Sequence, residues 1–267
     1  MTNIQELINL DGRTALITGA TGGLGSVIAD TLAQLGATLI LVDRPGAELD
    51  ELSDSLRKMW KITVFSRECD LELHNQRHEL IDWVFKDVST LDILINNAAF
   101  VGTEHLEGWS VPFEHQTVET WNRAFEVNLT SVFHLSQQLM PLLQKSDHAS
   151  VINIGSIYGS YGPDWRLYES TEMGNPAAYS SSKGGLLQFT RWLATSVAPL
   201  VRVNAVSPGG IYRKQNEKFV EKYSLRTPLG RMGTEDDLRG AVAYLASDLS
   251  RYVTGQNLEV DGGWGVW

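Results

Sequence analysis

A single cysteine, Cys69, stands in the 267 residues, so no internal disulfide and no cysteine-rich metal centre is possible within the chain. That poverty suits a reducing compartment, and a cytoplasmic location is expected. Cys69 is expected to lie inside a strand and reads as a buried packing thiol. Positive charge is also scarce: 22 Lys and Arg against 32 Asp and Glu leave a net charge of −10. Nucleic acid and anionic membrane surfaces are therefore poor partners. No apolar stretch is long enough to span a bilayer, and MTNIQELINLDGR at the N-terminus lacks the basic and apolar regions of a signal peptide. The six histidines (His74, His78, His105, His115, His134 and His148) form no HExxH-like motif. His74 and His78 lie one helical turn apart and read as a solvated helix face, so no metal is expected.

What is present is an ordinary apolar fraction of 43%, enough for a sizeable core. Apolar runs at 13–18, 37–42, 61–66, 91–96, 150–155, 201–206 and 257–260 read as strands. Most are solidly apolar, as strands covered on both faces should be. Helical stretches lie between them, near 23–35, 47–58, 72–87, 119–144, 177–198 and 234–246. This alternation predicts an α/β fold: a Rossmann-like doubly wound parallel sheet of about seven strands with helices on both faces. No linker or repeat interrupts it, so residues 1–267 read as one domain. Loop-like regions at 100–116 and 159–175 follow strand C-termini, where open α/β sheets bind ligands.

Three sets of residues suggest chemistry. Tyr179 and Lys183 stand four apart in PAAYSSSKGG, side by side on a predicted helix. A free tyrosine is ionised in only about one molecule in a thousand at pH 7. A cation some 4 Å away, at an effective dielectric of about 20, favours the phenolate by up to roughly 4 kcal/mol, or about three pK units. Such a phenol is expected to exchange protons near neutrality. Asn175 and Pro176 suit the N-cap and first turn of that helix. Secondly, TGATGGLG joins the first strand to the first long helix; Gly19, Gly23 and Gly25 allow a tight turn and close approach of a diphosphate to a helix N-terminus. Thirdly, Asp43 ends the second strand about twenty residues on, where a carboxylate accepts ribose hydroxyls and repels a 2′-phosphate. NAD is therefore favoured over NADP, although the guanidinium of Arg44 could hold that phosphate.

In that order and context, the motifs resemble those of the short-chain dehydrogenase/reductase family over nearly the whole chain. TGATGGLG is similar to its TGxxxGxG turn, NNAA (96–99) to its NNAG signature, SPGGI (207–211) to its PG motif, and TGQNLEVDGG to its last strand. The resemblance implies a catalytic set of Asn128, Ser156, Tyr179 and Lys183. Tyr179 would act as general acid/base, Ser156 would fix the substrate oxygen, Lys183 would hold the nicotinamide ribose, and Asn128 would hold a water leading to Lys183. It implies cofactor contacts from Gly19, Thr21, Gly23, Leu24, Gly25, Asp43, Arg44, Asp70, Leu71, Asn97, Ala98, Tyr179, Lys183, Pro208, Gly209 and Ile211. Asn96 also falls on the cofactor path, with a largely structural role.

Two departures bear on specificity. The segment YGPDWRLYESTEMGN (161–175) lengthens the stretch between Ser156 and Tyr179. The PG motif is followed by Ile211 and Tyr212 rather than the family's amide-binding threonine, which leaves backbone groups of Gly210 and Ile211 for that task. Trp165, Arg166 and Tyr168 of the insertion, with Ser156, Tyr179, Gly209 and Arg213, are candidate substrate contacts. Flat aromatics mixed with charges suit a polar, sugar-like molecule. PDWRLYE followed by NPAAY is also similar to oxidoreductases of surface-glycan and flagellin modification. The expected function is hydride transfer between NAD(H) and a secondary alcohol or ketone. Two alternatives stay open: a non-catalytic dinucleotide-binding scaffold or redox sensor, and an epimerase or dehydratase with tightly held NAD. The resemblance also implies a homotetramer or homodimer. The terminal Trp264 and Trp267 either pack on a neighbouring subunit or cover this chain's own core.

Overall fold

The computed structural model describes residues 3–101 and 106–267; His105 lies outside the described residues. Strands β1 (Thr14–Thr18), β2 (Thr38–Asp43), β3 (Val64–Glu68), β4 (Ile93–Asn96), β5 (Ser150–Ile154), β6 (Arg202–Pro208) and β7 (Asn257–Val260) form one parallel sheet in the order β3-β2-β1-β4-β5-β6-β7. This is the Rossmann-like arrangement expected from the alternating runs. The helices are α1 (Ile4–Ile8), α2 (Gly23–Gln34), α3 (Leu49–Trp60), α4 (His74–Asp87), α5 (Val118–Phe125), α6 (Ser131–Leu143), α7 (Ile157–Ser160), α8 (Ala177–Val197), α9 (Glu217–Arg226) and α10 (Arg239–Ala246).

The unbroken apolar strands bury both faces. On one side Ile17, Leu41, Ile95 and Ile152 pack against Ile28 and Leu32 of α2 and Val242 and Leu245 of α10. On the other, Leu16, Ile40, Leu94 and Val151 meet Ile81 of α4, Leu139 of α6 and Leu193 of α8. Each such side chain, fully withdrawn from water, contributes about 1.5–3 kcal/mol, which makes these two layers the main source of stability. β1 pairs with β2 on one side and β4 on the other, so the strand order reverses beside it. A crevice opens there at the strands' C-terminal ends.

Some boundaries differ from the sequence expectation. The third strand starts at Val64 rather than near 61, because Lys61 caps α3 in a left-handed conformation (φ 59°) and its N–H donates to Arg57. The helix expected over 119–144 is interrupted by a π-helical turn at Glu126–Thr130, a local widening that periodicity does not reveal. The stretch 234–246 begins as a 3₁₀ turn, Glu235–Leu238. Trp264 lies in this chain's own core, stacked on Tyr223 at 6.1 Å, whereas Trp267 is exposed. Among the described residues no helix is long and apolar enough to cross a membrane.

The fold brings His134 of α6 beside His74 and His78, a third imidazole that sequence spacing could not supply. Arg77 donates from Nε to His134 Nδ1 at 3.3 Å and pairs with Glu126 at 2.6 Å. Neutral His134 therefore carries its proton on Nε2 and has spent its lone pair on a guanidinium. The trio is a stacked, hydrogen-bonded set rather than three free ligands.

Candidate active site

The glycine-rich turn leaves β1 and enters α2 with φ +63° at Gly19. A Cβ there would lie 2.8 Å from Ala98 Cα, and one on Gly25 would collide with the Gly19 carbonyl. Only glycine permits both the turn and its tight packing. Gly22, the N-cap residue of α2, supplies no side-chain cap, so the helix presents its amide end to the crevice. Asn97 braces the turn: its Nδ2 donates to the carbonyls of Thr18 and Gly19, each at 2.9 Å.

At the end of β2, Asp43 Oδ2 accepts from Thr21 N at 2.9 Å and Thr21 Oγ1 at 2.7 Å. Its Oδ1 accepts from Arg44 N at 2.8 Å. The carboxylate is thereby fixed at the crevice wall with acceptor capacity to spare. Asp70 caps its own loop, accepting from Glu72 N at 2.9 Å, while Leu71 and Cys69 line the same end. Burial pushes the Cys69 thiol up to about 12, so it is inert packing.

These residues line one cleft of about 680 Å³, which also contains Gly23, Leu24, Ala98, Ser156, Tyr179, Lys183, Pro208, Gly209, Ile211 and Arg213. Every expected cofactor residue is in it; Asn96 is not. Asn96 is buried and donates to Asn153 Oδ1 at 2.8 Å, a structural role. A separate hollow of about 560 Å³ lies at the opposite end of the sheet, around Gln5, Asp11 and Trp60, far from this set. The uncapped helix, the glycine cradle and the fixed carboxylate fit a dinucleotide.

The catalytic candidates converge at the other end of the cleft. Ser156 follows β5 and caps α7, its Oγ accepting from Tyr158 N at 3.2 Å. The Tyr179 hydroxyl lies close enough to Ser156 for that side chain to favour its ionisation. Lys183 is 2% exposed, donates from Nζ to the Ile154 carbonyl at 2.7 Å, and stands 5.9 Å from the centre of the Tyr179 ring. Asn128 sits in the π-helical turn, fully buried. Its Oδ1 accepts from Phe100 N at 2.6 Å and its Nδ2 donates to Ser182 Oγ at 3.0 Å. One lone pair and one N–H are thus left over for a water.

Electrostatics correct the sequence expectation for Tyr179. Burial raises its pKa above the ordinary phenol value; the Ser156 side chain and the Arg213 charge act in the opposite direction, and Tyr168 adds to the rise. Lys183 is not the cation that tips it, because burial also drives Lys183 down to about 8 and its ammonium is turned to Ile154. Four-residue spacing predicts adjacency but not the desolvation that both groups suffer.

The helix start is also revised. Pro176 is the N-cap residue of α8, and the Asn175 side chain instead accepts from Ser180 Oγ at 2.8 Å. Ala177 N donates to Gln116 Oε1 at 2.9 Å, which anchors the first turn from outside.

The insertion folds back on itself. Asp164 accepts from Arg166 at 2.8 Å and from Arg226 of α9 at 2.7 Å, which holds its carboxyl well below the usual range. Lys222 of α9 donates to the Arg166 carbonyl at 2.7 Å. Arg166 and Trp165 consequently point outward, Trp165 58% exposed, and neither lines the cleft. Tyr168 alone of the three turns inward, its hydroxyl 2.6 Å from that of Tyr158. After the PG motif, Gly210 N donates to Tyr223 Oη at 2.6 Å, so Gly210 is not free to replace the missing threonine.

Sequence reasoning missed Arg123, which lies at the Asp70 end of the cleft, paired with Glu72 at 2.7 Å and over the Phe100 ring at 4.9 Å. No motif marks it; only the packing of α5 against the loop after β3 brings it there.

A family model described as enoyl-(acyl carrier protein) reductase matches residues 19–265. The chain is 32% identical to 3-oxoacyl-[acyl-carrier-protein] reductase FabG of Escherichia coli over 96% of this chain and 98% of that protein. Among solved structures, it resembles a short-chain dehydrogenase from Leptospira borgpetersenii with bound NAD+ (34% identity, TM-score 0.84, covering 99% of this chain and 96% of that one). It also resembles a gluconate 5-dehydrogenase from Burkholderia cenocepacia in complex with NADP and tartrate (28% identity, TM-score 0.87, covering 99% and 100%).

Proposed function

The chain belongs to the short-chain dehydrogenase/reductase family and is an NAD(P)-dependent oxidoreductase acting on CH–OH groups; from that premise we propose that its substrate is a polar, sugar-like secondary alcohol or ketone and that it prefers NAD. The observation that carries the substrate reading is the hydroxyl-rich wall beside Tyr179. Tyr158 and Tyr168 share a hydrogen bond at 2.6 Å, and Tyr168 lies near enough to Tyr179 to influence its ionisation. Burial raises both Tyr158 and Tyr168, so they stay neutral and able to donate as well as accept. Each hydroxyl keeps acceptor capacity beyond the bond they share, which a polyol can use and an acyl chain cannot.

In this reading Ser156 and Tyr179 hold the substrate oxygen, and Tyr179 exchanges its proton. Lys183 would hold the nicotinamide ribose hydroxyls, and Asn128 would keep a water within reach of the ammonium. A bound nicotinamide would supply the hydride chemistry at the carbon bearing that oxygen, and its oxidised form would add positive charge favouring the phenolate. The preference for NAD rests on Asp43, whose carboxylate faces the adenosine end and would repel a 2′-phosphate.

A panel of sugar acids, polyols and sugar phosphates, set beside medium-chain ketones and 3-oxoacyl thioesters, tests both parts. Expected is the highest kcat/KM on a polyol or sugar acid, at least tenfold higher with NAD than with NADP. Turnover confined to ketones or thioesters would sink the substrate reading, and equal use of NADP would sink the cofactor preference.

We also infer a homo-oligomer built through α5, α6 and α8. Trp121, Phe133 and Trp192 stand exposed there, with Trp121 stacked on Phe125 and Phe189 packed against Phe133. Such a patch is costly in water. Phe133→Glu with Trp192→Glu should reduce the mass measured by light scattering to that of one chain; an unchanged mass in both proteins rules this face out.

A further inference from the structure

Arg213 was expected at the substrate, yet it lies against the glycine-rich turn. Its Nε donates to Glu235 Oε1 at 2.9 Å, and this ion pair rests directly on Gly23. A Cβ on Gly23 would lie 2.8 Å from Glu235 Oε1 and 3.0 Å from Arg213 Nη2. The pair therefore occupies the mouth of the cleft at the uncapped amide end of α2, where an anion is favoured. We propose that the Arg213 guanidinium is a ligand of the dinucleotide's diphosphate, and that Glu235 is the positioning residue that aims it there while its own charge weakens dinucleotide binding.

Both side chains are placed by fixed backbone. Tyr212 N donates to the Gly233 carbonyl at 2.8 Å, joining the loop after β6 to the segment before Glu235. Gln215 then ties the loop internally, donating to the Ile211 carbonyl and accepting from Arg213 N, each at 2.7 Å. Glu235 opens a 3₁₀ turn whose capping is done entirely by Thr234 and Asp237, so the Glu235 carboxylate is free to serve Arg213. A guanidinium against a helix N-terminus faces a like partial charge, so the arrangement needs an anion between or beside them. Glu235 supplies one negative charge; a diphosphate supplies two, with paired oxygens that suit the guanidinium fork. The two anions then compete for the same guanidinium, and their mutual repulsion lowers affinity.

The assignment rests on the family's use of NAD(P) and is tested by binding rather than turnover. Calorimetry would compare ADP-ribose, which has the diphosphate, with adenosine, which has none, on the wild type and two variants. Arg213→Gln should weaken ADP-ribose about tenfold, since the group is half exposed and solvent-screened, and leave adenosine within about twofold. Glu235→Gln should tighten ADP-ribose by about threefold and leave adenosine unchanged. Unaltered ADP-ribose binding by Arg213→Gln, or equal loss for both ligands, overturns the diphosphate assignment. Weaker or unchanged ADP-ribose binding by Glu235→Gln overturns the role of Glu235. A wild-type protein that binds neither ligand removes the dinucleotide reading, and this assignment with it.

Discussion

Tyr179→Phe should reduce kcat by about 10³–10⁴-fold while the dissociation constant for NAD changes by less than about threefold. The substitution removes one oxygen from a ring that is held by its surroundings rather than by that oxygen. Ala178 and the partly buried Tyr179 ring pack with Trp109 and Phe100, and α8 is anchored at its start by Gln116. Folding and dinucleotide binding should therefore survive. What is lost is the hydroxyl beside Ser156 that is proposed to pass a proton to the substrate oxygen. Because burial raises the phenol's pKa above its ordinary value, oxidation of an alcohol, which needs the phenolate, should keep accelerating as pH rises through the alkaline range. Reduction of a ketone uses the protonated phenol and should show no such rise. A variant retaining a tenth or more of the activity would remove Tyr179 from the proton-transfer step. Intact NAD binding with no turnover in the wild type, across the whole alcohol panel, would instead favour the non-catalytic binding protein.

The sequence carried the fold because its apolar runs needed no context: residues such as Leu39–Val42 and Val151–Ile154 are buried on both faces of the sheet. The glycine-rich end of the cleft was legible for a related reason. Gly19, Gly25 and Asp43 act through backbone shape and strand position, and both are local properties of the chain. That Ser156, Tyr179 and Lys183 line one cleft was legible, but the energetics of that end were not. Spacing put Lys183 beside Tyr179, whereas the Ile154 carbonyl that turns the ammonium away comes from a strand 29 residues earlier. The insertion was least legible. Its Asp164 is claimed by Arg226, 62 residues on, and that one bond decides that Arg166 faces water rather than substrate. Arg213 was read by its charge alone, and its partner Glu235 lies beyond the whole of α9.

Lys183→Met should abolish turnover and yet make the protein more stable at pH 7. The ammonium is enclosed, with the Ile154 carbonyl its hydrogen-bond acceptor, and burial lowers its pKa from 10.5 to about 8. A shift of that size corresponds to about 3 kcal/mol of penalty on the charged form in the folded protein. Methionine removes the penalty and fills similar space, but leaves the Ile154 carbonyl unpaired, at about 1–3 kcal/mol. The net gain expected at pH 7 is about 1–2 kcal/mol. The sign with pH follows from linkage. Between about 8 and 10.5 the unfolded chain binds more protons at this site than the folded one, so wild-type stability rises relative to the variant across that window. The advantage of Met should shrink from pH 8 upward and reverse near pH 10, where the neutral amine still donates to Ile154. Urea unfolding of both proteins at pH 7, 8.5 and 10 isolates the site, since every other group titrates alike in the pair. A difference that stays constant over that range, or a wild type already more stable at pH 7, would mean that the lysine carries no burial penalty. Lys183 would then be a structural cation rather than a group held under strain for the ribose contact proposed above.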